Sequence, residues 1–75
     1  MEQAAIGSRI KAARERAHLT QEQLAEALGV TFASVSKWER GVSTPELNLI
    51  AEMADLFEVS IDALIGYAFR NNDKE

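Results

Sequence analysis

The sequence contains no cysteine and a single histidine, His18. The first absence removes disulfides and Cys-ligated zinc as sources of stability. The second leaves no His pair for a metal or a proton relay. No apolar run approaches the ~20 residues needed to cross a bilayer. The N-terminus lacks the charged-then-apolar layout of a signal peptide. Strand-like alternation, internal repeats and low-complexity segments are missing, and so is a phosphate-cradling glycine loop. Ser34 and Ser36 have no adjacent base to activate them as nucleophiles. Together these absences argue against an enzyme and against any metal or cofactor. They point to a soluble protein of a reducing compartment, the cytoplasm.

What is present is short and rich in apolar residues. Seventy-five residues, 47% of them hydrophobic, make one domain. Chains below ~70–80 residues have little stability to spare, so the core must be compact helix packing. The formal net charge is −4. It is unevenly spread: residues 1–45 carry net +1, and residues 46–75 carry −5. Few phosphates can be neutralised by such a chain, which predicts weak non-specific affinity for a polyanion.

The pattern divides into five helices. The first starts near Ile6 or Ser8, after a frayed stretch 1–5, and ends at Ala17. Ile6, Ile10 and Ala13 form its inner stripe. His18 follows in the position where chains often turn left-handed. Thr20 and Gln23 form a capping box for the second helix, Gln21 to about Leu28, with Leu24 and Leu28 inward. Ala25 and Gly29 are small, which lets the next helix cross closely. Thr31 caps a third helix from Phe32 to about Arg40. Its Val35 and Trp38 point to the core. Phe32, Ser36, Arg40, Ala33 and Lys37 fill an opposite arc of about 140°. Gly41 stops it. Thr44-Pro45 starts the fourth helix, with Pro45 in the first turn. Leu47, Ile50, Ala54 and Phe57 form its stripe, and Met53 lies beside it. Ser60 caps a fifth helix ending near Gly66, with Ile61, Leu64 and Ile65 apolar. Residues 67–75 form a short polar tail. Its ending RNNDKE is compatible with a true C-terminus or with the cut edge of a longer protein.

The run TQEQLAEALGVTFASVSKWERG, followed by STPELNLIAEMADLFEVSIDALIG, resembles the Cro/repressor (Xre-type) helix-turn-helix DNA-binding domain. The likeness covers residues 6–66. It implies an all-α, compact five-helix bundle of the lambda-repressor-like kind. It also implies a transcriptional regulator that binds double-stranded operator DNA, usually as a homodimer. Residue by residue, it gives Gln21 a phosphate contact at the start of the second helix. Thr31, Phe32, Ala33, Ser36 and Lys37 fall where bases or the neighbouring backbone are met. Arg40, Ser43 and Thr44 would hold phosphate on the far side of the groove. Arg14 and Glu39 match a buried ion pair joining the first and third helices. The chain departs from the family in carrying His18 where Gly is usual, and Phe32 and Ala33 where polar residues are frequent.

Side-chain chemistry refines that expectation. Phe32 and Ala33 cannot hydrogen-bond a base but can pack on thymine methyls, and Lys37 can donate to guanine O6 and N7. One small module offers little interface, so useful affinity calls for two copies on a palindromic site. Ile65, Tyr67 and Phe69, with Leu64 beside them, are the candidates for the dimer contact. The competing reading is a protein-interaction module of the same fold, with weak or no DNA binding. The acidic back half and the apolar Phe32-Ala33 pair favour it.

Overall fold

The computed structural model describes residues 2–66, with side chains from Ile6 onward. Five helices follow one another: α1 (Glu2–Arg16), α2 (Gln21–Leu28), α3 (Phe32–Glu39), α4 (Leu47–Phe57) and α5 (Ile61–Ile65). α1 packs on α3 and α5, α2 on α3, and α4 on α5 and α2. The core is one cluster to which every helix contributes: Ile10, Leu24, Val35, Met53 and Leu64 are its most deeply buried side chains.

Four of the five helices end the same way. His18, Gly29, Gly41 and Glu58 all have positive φ, between 61° and 78°. In each case the next residue's N–H reaches back six residues' span: Leu19 to Arg14 O, Val30 to Ala25 O, Val42 to Lys37 O, Val59 to Ala54 O. The residue at the turn makes the companion bond, as His18 does to Glu15 O and Gly29 to Glu26 O. This is the Schellman arrangement, which satisfies the last carbonyls of a helix. An apolar residue follows each turn. Leu19, Val30 and Val59 pack against the core, whereas Val42 stays 57% exposed. The starts are equally regular. Thr20 accepts from the Gln23 N–H while the Gln23 side chain accepts from the Thr20 N–H, a full capping box. Thr31 and Ser60 cap α3 and α5 through the N–H of Ser34 and Ala63.

The structure departs from the sequence pattern in several places. α1 begins at Glu2, because the segment ahead of Ile6 holds good helix formers and no breaker. α4 begins at Leu47 rather than at Pro45. Pro45 is buried, and Glu46 takes the cap position with extended backbone (φ −66°, ψ 157°) and no side-chain cap. Leu47, the first residue of α4, is 64% exposed, and Met53 is fully buried. Gly29 is not a close-approach residue: a Cβ built there meets nothing within 4 Å, and its φ of 73° is the reason for glycine. The close approach lies at Gly7, where a Cβ would collide with the backbone carbonyl of Trp38. α1 therefore crosses the end of α3 at a distance only glycine allows.

Candidate nucleic-acid interface

The site begins with what fixes α3. Arg14, on the inner side of α1, is 8% exposed. Its Nε donates to Glu39 Oε2 at 2.6 Å and its Nη2 to Glu39 Oε1 at 3.0 Å, a two-pronged ion pair. Its Nη1 donates to the Leu19 carbonyl at 2.8 Å. Glu39, whose side chain is 3% exposed, takes one more bond, from Gln21 Nε2 at 2.9 Å. One carboxylate thus joins α1, α2 and α3. The hydrogen bond to Glu39 raises the Arg14 pKa above its ordinary value, against an opposing effect of burial. The stability this shift contributes is fully present below the ordinary arginine range and is lost only in strong alkali. No buried side-chain nitrogen or oxygen among the described residues lacks a partner.

With one side so held, α3 turns its other side outward. Val35 and Trp38 are buried, while Phe32, Ala33, Lys37 and Arg40 are exposed. Phe32 is 51% exposed at the first helical position, directly after the Thr31 cap. Thr31 Oγ1 and Ser34 Oγ lie 3.0 Å apart, so the cap is a paired hydroxyl unit. Ser36 is half-buried and accepts from Arg40 Nε at 3.2 Å. Beyond α3, Ser43 and Thr44 lie on the loop that the Gly41 turn folds back. The Ser43 N–H reaches the Lys37 carbonyl at 3.4 Å, which ties that loop to the helix end.

The arrangement brings Thr31, Phe32, Ala33, Ser36, Lys37 and Arg40 onto one helix and Ser43 and Thr44 onto the loop that follows it. Gln21 stands at the first position of α2, where backbone N–H groups are free of intrahelical partners and favour an anion. Its side-chain amide donates one of its two N–H groups to Glu39. Ile65 needs correction: at 7% exposure it belongs to the core of the single chain, packed there with Leu64, and offers almost no surface to a second copy. Tyr67 and Phe69 lie outside the described residues.

Sequence reasoning missed two contacts. Gln21 and Glu39 are 18 positions apart, and no local pattern joins them. Ser36 and Arg40 were separable candidates, though their i, i+4 spacing is a signal that could have paired them. Charge on the outward arc is limited to Lys37 and Arg40. Between residues 46 and 66 there are five carboxylates and no Lys or Arg. No described helix is long and apolar enough to cross a membrane, and the described residues hold no His, Cys, Asp or Glu cluster of metal-binding kind.

Comparison with known proteins agrees with this geometry. Residues 10–64 match the HTH_3 helix-turn-helix family. The transcriptional regulator ImmR of Bacillus subtilis is 34% identical over 61 residues, 81% of this chain and 48% of its own length. The CTXphi transcriptional repressor RstR of Vibrio cholerae is 34% identical over the same share of this chain and 54% of its own. The chain thus spans about half the length of each. The crystal structure of the clp gene regulator ClgR from Corynebacterium glutamicum superposes with a TM-score of 0.79 at 25% identity, covering 87% of this chain and 83% of that one. The protein therefore belongs to the HTH_3 (Cro/C1-type, Xre) family of helix-turn-helix DNA-binding domains, a family of transcriptional regulators with the lambda-repressor-like fold.

Proposed function

We propose that the protein binds a palindromic operator as a homodimer and represses transcription, reading each half-site with the outward arc of α3. The observation that carries this reading is the two-sidedness of α3. Phe32, Ala33, Lys37 and Arg40 are exposed, while Val35 and Trp38 are buried and Glu39 is pinned. A helix held so firmly from behind can enter the major groove without losing its orientation. Phe32 and Ala33 pack on thymine methyls, and Lys37 donates to a guanine. Gln21, Thr31, Ser43 and Thr44 meet the flanking backbone. The DNA-binding unit is residues 6–66, and 67–75 is a polar tail.

Dimerisation supplies the affinity that a chain with so few cations lacks. A two-fold pair sets two α3 helices in successive major grooves about 34 Å apart. Tyr67 and Phe69, just past α5, remain the proposed contact, without Ile65. RstR, named a transcriptional repressor, supports the repressor reading. Binding-site selection followed by footprinting tests the whole. Palindromic sites with thymine and guanine preferences at the contacted steps are expected; no preference for either base would sink the reading.

One observation favours the protein-interaction alternative: Phe32, Val42 and Leu47 are all more than half exposed. Salt titration separates the two. DNA affinity falls steeply with salt as counterion release loses its advantage, whereas apolar docking does not.

A further inference from the structure

We infer that Arg40 is a specificity residue that reads a guanine, and that Ser36 is the residue that positions it. This rests on the DNA-binding reading above and changes the role of both side chains within it. The family likeness implies a phosphate contact for Arg40, beyond the groove, and a base or backbone contact for Ser36.

The geometry favours a different division. Arg40 is the C-cap of α3 (φ −86°, ψ −3°), the first residue past the last helical turn. A side chain extended forward from there would follow the loop. Instead its Nε donates to Ser36 Oγ at 3.2 Å, one turn back. The guanidinium is therefore drawn over α3 at the level of Ser36. Helical spacing places it centrally. Taking Phe32 as zero, Ser36 falls at about 40°, Arg40 at about 80°, Ala33 at about 100° and Lys37 at about 140°. Seen down the axis, the root of Arg40 lies between Phe32 and Lys37; along the axis it stands at the C-terminal end of α3, and the bond to Ser36 carries its head back one turn toward them.

What remains on the guanidinium limits its partner. Nε is occupied by Ser36, so the side-on pair of donors is spent. The end-on pair, one N–H from each terminal nitrogen, has no acceptor among the described residues. That planar fork fits two acceptors on one edge, as guanine O6 and N7 present them. A phosphate can take the same fork, so the position of the guanidinium decides: it lies over the outward arc of α3 and not along the loop that follows. Ser36, half-buried and holding Nε, fixes the plane of the fork and contributes no base contact of its own.

Binding-site selection and salt titration of the wild type, Arg40→Lys, Arg40→Ala, Lys37→Ala, Ser36→Ala and the Arg40→Lys, Ser36→Ala double variant test this. Arg40→Lys keeps the charge and the salt dependence but loses about tenfold discrimination at one guanine per half-site, a position other than the one relaxed by Lys37→Ala. Ser36→Ala loses several-fold at the same guanine and adds nothing in the Arg40→Lys background. Unchanged base preferences in Arg40→Lys would overturn the inference. So would an Arg40→Ala variant that weakens all sequences equally with a salt slope lower by about one, the mark of a phosphate contact. A wild type that enriches no sequence would overturn the DNA-binding reading itself, and this inference with it.

Discussion

The two sides of α3 are built on opposite principles. The inner side is over-determined. Val35 and Trp38 are buried, Glu39 takes three hydrogen bonds from two other helices, and Gly7 lets α1 touch the helix end. The outer side is nearly unconstrained: Phe32, Ala33 and Lys37 make no side-chain hydrogen bond or ion pair within the described chain, and Arg40 makes one. Binding residues carried by a rigid element can be exchanged without loss of fold, whereas the residues that hold the element cannot. The contrast separates substitutions that unfold the protein from substitutions that alter what it binds.

The largest effect is expected where the inner side is broken at its charge. Arg14→Ala leaves the Glu39 carboxylate buried with only Gln21 as partner. Unfolding in urea should show a loss of about 3–5 kcal/mol, since an orphaned buried charge is far costlier than the intact pair is favourable. Gly7→Ala comes next. Its new Cβ meets the backbone carbonyl of Trp38, which cannot swing aside, so α1 must move off α3. About 1–3 kcal/mol should be lost, typical of overpacking. Gly29→Ala sharpens the point by comparison. The space around Gly29 is open, so only the strain of positive φ is felt, about 1 kcal/mol. If Gly7→Ala proves milder than Gly29→Ala, the close crossing of α1 over α3 is not as drawn here. Smallest for stability is the outer side. Phe32→Ala and Lys37→Ala should each shift unfolding by no more than about 0.5 kcal/mol. Lys37→Ala should nevertheless lower DNA affinity and relax one base position.

The same contrast explains what could be read in the sequence. Helix caps, turns and core positions were legible, because they depend on residue type at fixed spacing within four or five residues. The Thr20–Gln23 capping box, the Thr31 and Ser60 caps and the His18 turn all belong here, as do the buried Val35 and Trp38. Glu58 shows where local signals fail. Its φ of 61° repeats the turn made by glycine elsewhere, yet nothing in a glutamate announces it. The position is set by Val59 having to reach the core. Gly7 reads locally as a weak point in a helix, and only the packed structure gives it a reason. Leu47 looked like the start of an apolar stripe, but it is the first residue of α4, at the open end of the helix, and stays exposed. Ile65 likewise looked free for a partner, but α5 packs on α1 and α4 and Ile65 belongs to the core.

The outward arc itself was legible as a set of residues, since a 3.6-residue period assigns sides once the core residues are known. The bond from Arg40 to Ser36 was not, because an exposed arginine can adopt many rotamers and residue type alone does not choose among them.

The central claim is that the inner side of α3 sets the fold and the outer side sets what is bound. A Phe32→Ser, Lys37→Ala double variant, taken through urea unfolding and binding-site selection beside the wild type, tests it most directly. The account predicts an unfolding midpoint close to that of the wild type together with loss of the wild-type thymine and guanine preferences. A variant that selects the wild-type site with wild-type preferences would contradict it.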